Sequence, residues 1–343
     1  MRLVTFGILL FIGLKNHAIA QPEAFRIMFY NVENLFDTVN DSTTIDEEFL
    51  PEGMRYWTKS RYYDKLNKTA KVICAAGEGN LPMLVGLCEI ENYEVLEALI
   101  NYSPLRNAEY GYLHQESADA RGVDVALLYR KSVFKPIDYN AYKVHLPGDR
   151  TTRDILHAYG TLPNGDTLHV FVNHWSSRLG GQAESEPNRL AAAQRLKELT
   201  DSIFALNADA NIIIGGDFND YPESKSISKV LNAALNLGSP TLVGLFNLTY
   251  SFWNKTGKGS HKMNGYWGML DQLIVSGNLL TGTGKTQIIS NSCKVFDADF
   301  LLEPDDTYNG YKPKRTYVGY RYNGGFSDHL PVVVDLKIVL NDK

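Results

Sequence analysis

Cysteine is scarce in this chain, three residues in 343, which excludes a disulfide framework. The Cys/His spacing of a structural zinc site is absent as well. Cys74 and Cys88 lie in apolar surroundings and Cys293 follows a polar stretch, a pattern of small buried hydrophobes. One disulfide is open by count, and the sequence does not choose its pair. Basic charge is not in excess: 34 Lys and Arg stand against 39 Asp and Glu, a net charge of −5. That excludes a protein held to nucleic acid mainly by a positive surface. After residue 14 there is no long apolar run, because segments such as Ile212 to Ile214 and Val332 to Val334 are strand-sized and bounded by Gly, Pro or charge. No fixed-period repeat, low-complexity tract, Pro/Ser-rich linker, P-loop, GxSxG elbow or HExxH motif occurs.

What is present begins with residues 1–20. Arg2 precedes an apolar run, Leu3 to Leu14, followed by Lys15-Asn16-His17 and the small-residue pattern Ala18-Ile19-Ala20. This is the order of a secretory signal cleaved after Ala20, and the run is too short to span a bilayer. No Cys lies near the cleavage point to carry a lipid. Removing Arg2 and Lys15 leaves 323 residues with 32 basic and 39 acidic groups, a net charge of −7. The expected mature protein is secreted or periplasmic, a monomer, and makes no stable membrane insertion.

Short apolar runs predict strands over 25–30, 83–88, 123–129, 168–172, 212–216, 270–275 and 331–336. Helical spacing predicts helices over 60–76 (Tyr63, Leu66, Ala70, Ile73) and 187–206 (Leu190, Ala193, Leu196, Leu199, Ile203). A hairpin-like pair joins 123–129 to 134–137. The mixture predicts layered mixed sheets. Length alone suggests about two domains at about 150 residues each. Without a linker, one domain over 21–343 with two long loops, 37–58 and 297–326, is expected. The second loop holds five Tyr (308, 311, 317, 320, 322) and four basic residues (Lys312, Lys314, Arg315, Arg321).

One arrangement recurs: an apolar strand ends and a carboxylate, amide or imidazole follows at once. The instances are FRIMFYNVEN with Asn31, MLVGLCEIEN with Glu89 and Glu91, HVFVNHWSSR with Asn173 and His174, NIIIGGDFND with Asp217 and Asn219, WGMLDQLIVS with Asp271, and GGFSDHLPVVV with Asp328 and His329. Six such ends point to one shared cleft. Asp217 and Asn219 are two apart and share a side of an extended segment. Gly215-Gly216 before them lets the backbone pass close to something. Asp328 and His329 need a bend to enter the same site. The segment 175–181 after His174, with Arg178 and two glycines, suits an oxyanion. A donor set of carboxylates and amides with two imidazoles favours a hard divalent cation, Mg²⁺, Mn²⁺ or Ca²⁺. The chemistry that fits best is metal-assisted phosphoester hydrolysis.

The ordered motifs YNVENLF, GLCEIEN, RGVDVALLY, NHWSSR, GGDFND, LDQLIVS and SDHLPV resemble those of the endonuclease/exonuclease/phosphatase superfamily, from Asn31 to Pro331. The resemblance implies an α+β, four-layer sandwich of two packed mixed sheets flanked by helices. It implies Glu89 as principal metal ligand with Asn31 and Asp328 near the metal, and Asp217 acting on the attacking water, helped by Asn219. It also implies His329, oriented by Asp271, on the scissile phosphate, and His174 on another of its oxygens. Glu33, Asn34 and Glu91 lie beside matched positions without matching them.

For substrate, residues 255–325 hold nine Lys and Arg against six Asp and Glu. Arg178, Lys262, Arg315 and Arg321 are the expected substrate contacts. A phosphoester substrate, with DNA or RNA first, is the leading expectation. A phosphatase or phospholipase C-like esterase on sphingomyelin, inositol phosphate or sugar phosphate is the alternative. A glycosidase built on Glu89 and Asp217, or a silent binding protein, ranks below both.

Overall fold

The computed structural model describes residues 23–340 apart from 149 and 239. The expected leader therefore lies outside the described residues. The chain begins with β1 (Glu23–Leu35), α1 (Lys59–Ala76), β2 (Leu84–Ile90), α2 (Tyr93–Tyr102), β3 (Tyr110–His114) and β4 (Asp124–Arg130). The middle holds β5 (Lys135–Tyr142), β6 (Ile155–Thr161), β7 (Thr167–His174), α3 (Gln182–Leu206), β8 (Asn211–Asp217), β9 (Ala233–Ala234) and β10 (Leu245–Asn247). Next come α4 (Leu248–Thr256), the hairpin β11 (His261–Met263) with β12 (Tyr266–Gly268), β13 (Asp271–Ser276), β14 (Thr286–Ile288) and β15 (Lys294–Val295). Two small hairpins follow, β16 (Leu302–Pro304) with β17 (Tyr311–Pro313) and β18 (Tyr317–Val318) with β19 (Arg321–Tyr322), before β20 (Val332–Ile338).

Two seven-stranded mixed sheets form the centre. The first runs β14-β20-β1-β2-β4-β3, with β15 also on β20; the second runs β5-β6-β7-β8-β13-β10-β9. Each has a parallel pair at its heart, β1 with β2 and β7 with β8, and an antiparallel strand beside it, β20 and β13. The central strands are buried on both faces and read as continuous apolar runs, as Ile212-Ile213-Ile214 shows. α1 and α2 set Leu66, Ala70, Ile73, Val95, Leu96 and Leu99 into the core of the first sheet. α3 places Ala192, Ala193, Leu196 and Phe204 against Phe171, Ile212 and Ile214 of the second.

The sheets meet on Phe29. A Cβ placed on Gly86 or on Gly215 would stand 2.4 Å from its ring, so the two glycines, one per sheet, leave the room that this fully buried side chain fills. Gly216, at φ 134°, passes so near the Asn173 carbonyl that a Cβ would lie 1.9 Å from that oxygen. Gly215-Gly216 is thus close to protein on both counts.

Two expectations are corrected. Residues 123–129 and 134–137 do not pair: β4 lies between β2 and β3 in the first sheet, whereas β5 pairs with β6 in the second. The chain changes sheets here, with Phe134 buried at the crossing. α3 starts at Gln182 rather than Pro187, and the ring of Pro187 forfeits one backbone bond in an otherwise regular helix. The helix α2 lacked a predicted counterpart; Asn92 caps it by accepting the Val95 N–H at 2.9 Å. The three cysteines are free thiols.

Candidate active site

The site forms where the central strands of both sheets end. β1 and β2 lose register between Asn31 and Leu35, and β2 and β4 between Cys88 and Ile90. Glu33, Asn34, Glu89 and Asn219 have φ between 50° and 65°, a conformation side chains other than glycine rarely take. The irregularities turn Glu89 out of its pleat. Its Oε2 accepts the Asn34 N–H at 2.8 Å, and its Oε1 has only a long contact, 3.4 Å, with Asn31 Nδ2.

The second sheet supplies the facing groups. His174 ends β7 opposite Asp217, which ends β8, and Asp271 opens β13 opposite Asp217 again. Asp217 Oδ1 accepts the Asn219 N–H at 2.9 Å, while its Oδ2 accepts Asn31 Nδ2 at 3.1 Å and Asn219 Nδ2 at 3.3 Å. His329 comes from the bend before β20. Ser327 makes that bend: its hydroxyl donates to the Asn31 carbonyl at 2.7 Å and accepts the His329 N–H at 3.0 Å. His329 Nδ1 meets Asp271 Oδ2 at 2.6 Å, and its ring lies 4.8 Å from that of His261.

Three further distances define an opening. His174 Nε2 is 3.8 Å from both Glu89 Oε1 and Asp217 Oδ2, and His329 Nε2 is 3.8 Å from Asp217 Oδ2. These are too long for direct hydrogen bonds, and an oxygen placed beside such a pair would lie within hydrogen-bond reach of both members. Burial and Asp271 push the Asp217 carboxyl up to about 6, the useful range for a base, against the opposing pull of His329. Burial alone would discharge His329, but the carboxylates of Asp271 and Asp217 outweigh it and hold the ring well above the usual histidine range. Burial, with Arg153 and Arg121 nearby, keeps His174 well below that range and therefore neutral. One imidazolium and one imidazole face the same opening.

The structure brings Asn31, Glu89, His174, Asp217, Asn219, Asp271 and His329 together. It gives Asn31 another orientation and places the remaining expected residues differently. Asn31 turns Nδ2 toward the carboxylates and uses Oδ1 on the Glu33 N–H at 3.0 Å, so it presents a donor rather than a ligating oxygen. Asp328 is tied by Oδ2 to Arg315 Nη2 at 2.9 Å. Arg315 binds Asp328 through Nη2 and Glu33 Oε1 through Nε at 3.0 Å, and Arg178 holds the Asn219 carbonyl at 2.8 Å and Asp220 at 3.2 Å. Lys262 is buried with Asp305 at 2.8 Å. Arg321 is exposed on β19 and has no polar partner among the described residues. Arg315 and Arg178 thus brace the site, and Lys262 pins a loop.

Sequence reasoning missed Arg153. This buried residue grips the His174 carbonyl at 3.2 Å, the Trp175 carbonyl at 2.6 Å and Asp119 at 3.0 Å, holding the backbone behind His174. No motif surrounds it in sequence. Glu91, set aside earlier, lies outside the opening, where its Oε2 accepts the Asp37 N–H at 2.6 Å. Burial, with Asp37, Asp46 and Asp41 nearby, lifts its carboxyl from 4.5 to about 8. The folded protein keeps this proton up to about pH 8 while an unfolded chain releases it near 4.5, so stability is lost as pH rises across that window. Glu91→Gln should remove this loss, on the order of 4 kcal/mol at most. Urea midpoints of both proteins at pH 5 and pH 8 check it, and parallel pH dependences would refute it.

A family model described as "Endonuclease/Exonuclease/phosphatase family" matches residues 26–338. The chain belongs to this family. Its members are metal-dependent phosphoester hydrolases, and this chain is one by that membership. Among curated proteins no sequence match is found. Among solved structures, D. rerio TDP2 complexed with single strand DNA product is similar at a TM-score of 0.53 and 16% identity, covering 92% of this chain and 99% of that one. The mannosyl-6-phosphatase of Bacteroides thetaiotaomicron VPI-5482 gives 0.54 and 15%, covering 91% and 99%. The catalytic domain of human Nocturnin with bound sulfate anion gives 0.52 and 14%, covering 92% and 93%. At these identities the likeness is one of fold, and the fold is the expected sandwich.

The donor set fits the divalent cation that the family uses. Glu89 Oε1, with only the long Asn31 contact, and Asp217 Oδ2 each lie 3.8 Å from His174 Nε2, and such carboxylate oxygens suit a hard ion. Two other groupings bring donors within 4.8 Å of one another: Asp217, Asp271 and His329, and His261, Asp328 and His329. Both contain the charged His329 and suit proton handling better than cation binding. No helix of the described residues is long and apolar enough to cross a membrane.

Proposed function

We propose that this protein is a secreted phosphodiesterase that uses Mg²⁺, with Mn²⁺ or Ca²⁺ as alternatives, and directs water in line at phosphorus. Nucleic acid is its first candidate substrate. The observation that carries this reading is the Asp271–His329 pair at 2.6 Å, with His329 Nε2 aimed across 3.8 Å at Asp217. Glu89 would hold the ion, which when bound supplies Lewis-acid stabilisation of phosphoryl charge. Asp217, steered by Asn31 and Asn219, takes the proton of the attacking water. The His329 imidazolium, kept charged and oriented by Asp271, donates to a phosphate oxygen, and neutral His174 donates to another.

The basic stretch 255–325 and the DNA-bound TDP2 relative support the nuclease reading. A small phosphate ester is favoured instead by the commitment of Arg178 and Lys262 to protein carboxylates, and the mannosyl-6-phosphatase relative is consistent with it. Incubation with EDTA should abolish hydrolysis of bis(p-nitrophenyl) phosphate, and Mg²⁺ or Mn²⁺ should restore it. Full activity in EDTA would refute the metal-dependent reading. A panel of DNA, RNA, sugar phosphates and sphingomyelin then ranks the substrates. Secretion is tested by locating the protein after expression with and without residues 1–20.

A further inference from the structure

The two long loops of the sequence meet at the end of β1 in a cleft of about 230 Å³, whose walls include Glu33, Asn34, Phe49, Arg55, Arg315 and Tyr317. We infer that this cleft binds a second anionic group of the substrate, a phosphate beside the one being hydrolysed, and that Arg55 determines this specificity. The inference rests on the phosphoesterase reading. It adds a requirement on the substrate that the catalytic residues do not impose.

Position comes first. Asn34 lines the cleft, and its own N–H holds Glu89 Oε2 at 2.8 Å. An occupant therefore lies one residue from the carboxylate proposed to hold the metal.

Chemistry comes second. Arg55 is fixed on several sides: Nε to Glu48 at 2.6 Å, Nη1 to the Gly319 carbonyl at 3.0 Å, and its guanidinium carbon 5.0, 5.2 and 5.4 Å from the rings of Phe49, Tyr317 and Tyr320. Among the described residues its Nη2 has no partner. Arg315 is fixed through Nε and Nη2, and its Nη1 is likewise without one. Two guanidinium groups held in place with N–H donors to spare suit a phosphate, since little side-chain freedom remains to be lost on binding. The single carboxylate on the wall, Glu33, does not compete for these donors: its oxygens already accept from Arg315 and from the Thr316 N–H at 2.6 Å.

Rigidity comes third. Behind the cleft Phe49 stacks on Phe36 at 4.3 Å and meets Trp57 edge-on at 6.2 Å, and Trp57 contacts Tyr317 at 6.0 Å. This aromatic floor fixes both loops. Because Arg55 already lies over the faces of Phe49 and Tyr317, a base or sugar ring has no free aromatic face there, and an oxyanion is the better match.

A neighbouring internucleotide phosphate and the second phosphate of a small bisphosphate share this chemistry. Titration calorimetry in Mg²⁺ separates them by comparing thymidine 3′,5′-bisphosphate with thymidine 5′-monophosphate, and fructose 1,6-bisphosphate with fructose 6-phosphate. In at least one pair the bisphosphate should bind about tenfold tighter or more, as expected for one charge-assisted contact. Arg55→Met keeps the apolar stem over the rings and should bring that ratio to within about twofold, with Arg55→Lys between the two. Equal binding within both pairs, no binding by the wild type, or a preference that survives Arg55→Met would overturn the inference. Turnover of bis(p-nitrophenyl) phosphate by the same wild-type sample reports separately on the phosphoesterase reading.

Discussion

His329→Ala is expected to lower turnover by roughly two to four orders of magnitude, the range for losing a group that delivers a proton or positive charge to the reacting phosphate. The side chain has one short partner, Asp271 at 2.6 Å, and its charge depends on that carboxylate and on Asp217. Removing the ring leaves both carboxylates facing the opening without their cation, so the loss should fall on kcat rather than on KM. Asp217→Asn should cost a similar factor because the carboxamide cannot accept the proton of water, and its single oxygen can keep the hydrogen bond from the Asn219 N–H or the one from Asn31 Nδ2 but not both. Unchanged thermal unfolding in both variants would show that the fold survives. A rate within about tenfold of wild type in either would sink the assigned mechanism.

A large loss of stability is expected from Gly215→Ala. The new Cβ would stand 2.4 Å from the Phe29 ring, and that ring has no exposed side to retreat to and meets Gly86 as well. Overpacking of this kind costs about 3 kcal/mol. Phe29→Leu in the same chain should restore part of the loss, because the smaller side chain gives the methyl room and the two changes are coupled by contact. Denaturant titration of both single variants and the double variant gives the coupling. Strict additivity, or a neutral Gly215→Ala, would mean that the sheets do not meet as described.

The strands and the groups at their ends were legible because both leave local marks: an apolar run of strand length, then a polar side chain where the run stops. Asn31, Glu89, His174 and Asp217 carry that mark, whereas Asp271 opens β13 and His329 precedes β20, and all six come together. The fate of the basic residues was not legible. Whether Arg178 or Lys262 faces substrate depends on Asp220 and Asp305, distant in sequence, and on which loop folds back onto which strand. Arg153 leaves no local trace because its partners are two main-chain carbonyls and Asp119, distant in sequence. The pairing of 123–129 with 134–137 failed for a related reason: a short connection usually means a hairpin, but burial of Phe134 instead carries the chain into the other sheet.

The pairing of β20 with β1 joins the last strand of the sandwich to the first, and Ser327, Asp328 and His329 lie just ahead of β20. Synthesis from the N-terminus makes Asn31 well before His329. Until β20 docks, His329 and the Ser327 hydroxyl that ties its bend to β1 are both missing from the site. A chain without β20 therefore lacks the Asp271–His329 pair, and the candidate site is completed only when this long-range pairing closes.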